Sequence, residues 1–178
     1  QLLDYLASAL EEDGWSLKKL HRRIMLSAVY QQGAIENSDA RIVDPDNKLL
    51  WRMPRRRLEF EAMRDSMLAV SGELTTEIGG RPFDLLSKPV QPRRTIYGFV
   101  NRDIVSDFAS TFDAANPNSC TATRPATNVP QQTLFALNSE FIQDRAAALA
   151  DVEEIVSADS DEDRIRMLYK RAYSRMPE

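Results

Sequence analysis

The chain holds one histidine, His21, so Ser-His-Asp or Cys-His catalysis and every multi-histidine metal site would hinge on a single imidazole. His21 shares an apolar stripe with Leu17, Leu20, Ile24 and Ala28, a setting that predicts a half-buried, hydrogen-bonded structural histidine. The one cysteine, Cys120, excludes an internal disulfide and a multi-cysteine zinc site, and no Cys-x-x-Cys-His haem signature occurs. Beside Arg124 that thiol is reactive if exposed; a small packed thiol is the commoner fate. Asp159-x-Asp161-x-Asp163 imitates the start of a calcium loop, but Arg164 stands at the sixth position, where glycine is needed, and Lys170 at the twelfth, where glutamate is needed. The run reads instead as the acidic start of a helix, and no metal site is expected.

Arg55-Arg56-Arg57 and Arg93-Arg94 could grip phosphate, sulfate or carboxylate through guanidinium forks. The formal net charge of −4 and the acidic neighbours favour internal ion pairs, and no nucleic-acid binding is expected. Asn138 is the sharper oddity. In one continuous helix its neighbours Leu134, Phe135, Phe141 and Ile142 put its amide on a buried face, where it needs partners, and the backbone of the loop before it is the expected one. Arg94, Tyr97, Asp113, Arg124 and Asn138 are the polar groups that would converge on a ligand at loops 75–93 and 113–130.

The elements that must position these groups are mostly helical. Leu2, Leu3, Leu6, Ala9 and Leu10 recur at helical spacing up to Gly14. Ser16 then caps a second helix reaching to about Gln32, with Trp15 and Leu20 spaced as a hydrophobic staple. Residues 33–47 form a loop ending in the turn Asp44-Pro45-Asp46-Asn47. Past Pro54 a helix carries Phe60, Met63, Met67 and Val70 on one face and stops at Gly72. The prolines at 82, 89 and 92 keep 75–93 a loop, and β-branched and aromatic residues predict a short strand near 95–100. Ile104, Phe108 and Phe112 mark a short helix. A second long loop, 113–130, precedes one helix over 131–150, and a last helix holds Ile165, Leu168, Tyr169 and Ala172.

These elements predict a mainly α, irregular helical domain of about six helices with two long proline-rich loops. At 178 residues and 43% hydrophobic composition the chain suits a single domain over 1–178, with 151–178 as a C-terminal helical appendage. No apolar tract is long enough to span a bilayer. Gln1 opens inside a helical pattern, with neither initiator Met nor signal-peptide features, so the chain reads as a fragment of a larger multidomain protein.

Several motifs, in order and spacing, resemble the uncharacterised planctomycete-specific C-terminal domain. They are Ser16-Leu17-Lys18-Lys19-Leu20-His21-Arg22 with Tyr30-Gln31-Gln32, Asp44-Pro45-Asp46-Asn47 with Leu49-Leu50-Trp51-Arg52, and Arg55-Arg56-Arg57-Leu58-Glu59. Arg93-Arg94-Thr95-Ile96-Tyr97 and the set Asp113, Cys120, Arg124, Thr127, Gln131, Leu134, Leu137 and Asn138 resemble the same family's later motifs. Thr133 departs from the family's alanine, and Ala114-Ala115-Asn116 replaces a more proline-rich run. Ser174-Arg175-Met176-Pro177-Glu178 looks like the start of a motif that continues further. The resemblance implies the C-terminal part of a large exported or periplasmic protein whose upstream domains include another planctomycete-specific domain and a cytochrome-c-like haem module. It implies no cofactor in this segment and transfers no catalytic residues.

Two functional readings follow. One is a noncatalytic helical docking or scaffold module whose partners are upstream domains of the same polypeptide; exposed apolar surface on the first or last helix would favour it. The other is a ligand-binding or catalytic domain for a polar substrate at the two loops, with a saccharide as the class that the family's setting implies. Convergence of the five named side chains in one pocket would favour it.

Overall fold

The computed structural model describes residues 1–177; Glu178, the end of the Ser174–Glu178 motif, lies outside them. Among the described residues the chain is mainly helical, with nine α-helices, one 3-10 turn and no sheet. It divides into two units, Gln1–Arg56 and Arg57–Glu178.

The first unit contains α1 (Leu2–Glu12), α2 (Leu17–Met25) and α3 (Ser38–Val43). Gly14 and Trp15, both at positive φ, reverse the chain between α1 and α2. The Ser16 hydroxyl accepts from the Lys19 amide at 3.4 Å, the expected cap, but Trp15 stays 71% exposed and the staple buries little of it. Helix α2 stops at Met25, short of Gln32, where the Ser27 hydroxyl donates to the Ile24 carbonyl at 2.7 Å and so competes for an acceptor that a longer helix would use. The loop expected over 33–47 contains α3, because Asn37 Oδ1 accepts from the amides of Asp39 and Ala40 at 3.0 and 3.1 Å. The turn at 44–47 forms as expected, with the buried Asp44 carboxylate accepting from the amides of Lys48 and Leu49.

The second unit is built on α4 (Phe60–Val70), α5 (Asp107–Thr111), α6 (Pro130–Asn138), α7 (Glu140–Ala150), α8 (Glu153–Val156) and α9 (Asp161–Tyr173). Helix α4 buries Phe60, Arg64 and Leu68, one residue per turn, and Gly72 at φ +80 closes it with the Glu73 amide on the Leu68 carbonyl. Its core is aromatic. Phe108 is fully buried and meets Phe60, Phe112, Phe135 and Phe141 with ring centroids 4.9 to 5.6 Å apart.

Two expectations change here. Thr95–Tyr97 is a 3-10 turn, not a strand; isolated bridges from Thr75 to Arg93 and from Phe83 to Gly98 are the extended pairing present. The helix expected over 131–150 breaks at Ser139, whose ψ of 115° ends α6 and whose carbonyl starts α7. Asn138 Nδ2 donates to the Leu134 carbonyl at 2.8 Å at that break, the local competition that disfavours Asn and Ser inside helices.

Candidate functional site

Helix α4 is the rack for the polar groups of the second unit, because Glu61, Arg64 and Asp65 lie within about one turn of each other. Arg64 is fully buried, donating to the carbonyls of Gln91 (2.9 Å) and Arg93 (3.1 Å) and to Thr95 Oγ1 (3.2 Å). Its guanidinium also lies 5.4 Å from the ring centroids of both Phe83 and Phe141. Burial lowers its pKa, Asp65 offsets part of that, and the charge of Arg145 adds to it. The buried Thr95 hydroxyl is the junction: it accepts from Arg64 and donates to Asp65 Oδ1 at 2.6 Å, while the Thr95 amide donates to the same oxygen at 2.7 Å.

A second network anchors loop 113–130. Asp113, at φ +58, accepts from the Thr127 amide at 2.7 Å and from its hydroxyl. The buried Gln132 donates to the Thr111 carbonyl (3.0 Å) and Thr127 Oγ1 (3.3 Å), and accepts from Arg57, which also donates to the Thr127 carbonyl. Arg124 bridges Glu61 at 2.5 Å and Glu59 at 3.3 Å. Burial works to raise the Glu61 pKa, but hydrogen bonds from Arg124 and from its own backbone, together with the Arg124 charge, hold the carboxyl below the ordinary glutamate range. The bond to Glu61 raises Arg124 in turn.

Each of the five expected site residues has a contact of its own. Asp113 and Arg124 belong to the loop anchor. Arg94 is exposed, 3.8 Å from Asp65, and Tyr97 lies under the guanidinium of Arg93 at 5.0 Å. Asn138 is exposed and bonds within its own helix, so it does not pin the loop. The break at Ser139 turns α6 so that Gln132 and Phe135 face inward while Leu134 and Leu137 stay exposed. The pinning residue is Gln132, a polar residue three before Phe135 in the first turn of α6, and that spacing was its only signal in the sequence.

His21 is exposed, not half-buried, because the α2 stripe that carries it is largely uncovered. Cys120 is exposed. Arg57 and Arg93 spend their donors inside the protein, Arg93 on the carbonyls of Gly79 and Arg81. The acidic run near 160 starts α9, with Ser160 accepting from the Asp163 amide and Arg164 paired with Asp161. No group of three or more His, Cys, Asp or Glu among the described residues could hold a metal ion, and no helix among them is long and apolar enough to cross a membrane.

Two hollows open on the second unit, and none of the five residues lines either. One, of about 420 Å³, lies between α4, α5 and segment 84–106 and is walled by Phe60, Leu85, Phe99 and Val105. The other, of about 630 Å³, is bordered by Phe135, Phe141, Lys88, Glu140 and Arg145. Lys88 and Glu140 pair across its rim, and Arg145, almost wholly buried, pairs with Glu73 at 2.6 Å.

The first unit offers a surface of another kind. Among its side chains only Ala9 and Asp44 are buried. Leu2, Leu3, Leu17 and Met25 on its first two helices, and Leu26 just after the second, are all more than half exposed. Lys18, Lys19 and Arg22 stand on the same short helix α2, with Arg23 paired to Asp13 at 3.0 Å.

A family model described as PSD1, protein of unknown function (DUF1553), matches the chain over residues 1–178. No curated protein and no solved structure matches it.

Proposed function

The chain belongs to the PSD1 (DUF1553) family of unknown function over residues 1–178, and from that premise we propose that it is a noncatalytic helical docking module within a larger exported protein. Its first unit seats on a neighbouring domain of the same polypeptide. The supporting observation is the uncovered apolar face of α1 and α2. A unit of 56 residues in which Ala9 is the one buried apolar side chain lacks a core of its own, and a domain of that size is marginal even with one. An apolar face of this size, edged by Lys18, Lys19 and Arg22, suits a protein surface that is apolar at its centre and acidic at its margin. The planctomycete-specific setting, the export and a haem-bearing upstream neighbour rest on the resemblance of the motifs at 16–22, 44–59 and 93–97 to that family. The saccharide-site reading has less support, because none of Arg94, Tyr97, Asp113, Arg124 and Asn138 lines either hollow.

The test compares hydrogen exchange of residues 2–25 in the isolated chain and in the parent polypeptide. Docking predicts exchange at least about a hundredfold slower in the parent. Leu17→Asp is expected to lower the melting temperature of the parent while leaving that of the isolated chain unchanged. Equal exchange in both contexts, or an equal effect of Leu17→Asp in both, overturns the proposal.

A further inference from the structure

The hollow between α4, α5 and segment 84–106 has the size of a small-molecule site, about 420 Å³, and a composition that selects one kind of molecule. Its walls are apolar and partly aromatic, from Phe60, Leu85, Phe99 and Val105. Two carboxylates line it, Glu61 and Asp84, and no basic residue does. Arg124 neutralises Glu61. Asp84 has no ion-pair partner among the described residues; its Oδ1 accepts from the Leu86 amide at 2.9 Å, which leaves the charge uncompensated.

We propose that this hollow binds a small amine: an aromatic or branched aliphatic body against Phe60, Leu85 and Phe99, with a cationic, hydrogen-bond-donating head on the Asp84 carboxylate. An anion is disfavoured by the same Asp84 carboxylate that favours a cation, since Glu61 is already paired with Arg124. This site lies wholly in the second unit and is independent of docking by the first.

Amide NMR titrations of the whole chain with 2-phenylethylamine, 2-phenylethanol and 3-phenylpropionate are the direct test. Saturable shifts at Gly98, Asn101 and Ser106 are expected, tightest for the amine and weakest for the acid. Asp84→Asn, an exposed position that keeps its acceptor for the Leu86 amide, is expected to weaken the amine by about fivefold, to the level of the alcohol. Ala115→Trp, at an exposed lining position, is expected to abolish the shifts for every probe without changing the melting temperature. Binding of the acid as tightly as the amine, an amine affinity unchanged by Asp84→Asn, or no saturable shift from any probe overturns the proposal.

Discussion

Replacing Thr95 with valine removes one hydroxyl and almost no volume, and the structure sets what that hydroxyl is worth. It donates to Asp65 Oδ1 at 2.6 Å and accepts from Arg64 at 3.2 Å, and each such charge-assisted bond contributes roughly 1.5–3 kcal/mol net. Simple addition overshoots, because neither partner is left alone. Asp65 keeps the Thr95 amide at 2.7 Å, and Arg64 keeps the carbonyls of Gln91 and Arg93. The loss should therefore be close to one bond, about 2 kcal/mol. Thr95→Ser keeps the hydroxyl and gives up a methyl group, at about 1 kcal/mol. Urea unfolding followed by far-ultraviolet circular dichroism, with hydrogen exchange of α4 amides to report on the second unit alone, measures both variants. In a double-mutant cycle, Asp65→Asn should be about 1 kcal/mol less damaging in the valine background than in the wild type. A valine variant within about 0.5 kcal/mol of wild type, or a cycle with no coupling, would refute the argument that this junction holds loop 75–98 to α4.

Three further outcomes follow from neighbouring geometry. Gln132→Leu strands the Thr111 carbonyl and releases Thr127, so it should destabilise the second unit by about 1–3 kcal/mol and speed hydrogen exchange across 114–127, measured by mass spectrometry. Glu61 has a folded pKa below its unfolded one, so its pairing with Arg124 contributes fully above roughly pH 4.3 and is lost as the pH falls through the folded value. Stability should drop at acid pH, and Arg124→Met should flatten that limb while leaving the pH 6–9 plateau level, since Arg124 itself stays charged throughout. Gly98→Ala puts a methyl 2.5 Å from Leu85 Cδ2 and 3.0 Å from the Thr95 carbonyl, so Leu85 must shift; a melting curve should show a loss of about 1–3 kcal/mol.

Where local chemistry decided the outcome, it was visible in the residues themselves. Ser16 caps α2 and the acidic run with Ser160 starts α9, because a side-chain oxygen three residues before an amide suffices to set a helix start. The turn at Asp44–Asn47 and the closure of α4 at Gly72 likewise rest on backbone preferences that reach only a few positions. Motif order and spacing pointed to a domain family of unknown function, since they describe the chain without reference to its folding.

What lay out of reach depends on packing between segments distant in sequence. Whether Gln132 or Asn138 faces inward turns on the break at Ser139, and that break is favourable because Phe135 and Phe141 can then both reach Phe108. Arg64, a charged residue, is wholly buried on α4 because three oxygens from 91–95 and two phenyl faces enclose it. The two hollows arise from the same assembly. The residue pattern by itself determined helical character and helix starts, through interactions a few residues long. Tertiary structure alone decided which polar groups are spent on holding loops and which are left facing a cavity, because a hydrogen bond between α4 and residue 95 is set by three-dimensional contact, about thirty positions beyond the range of any local preference.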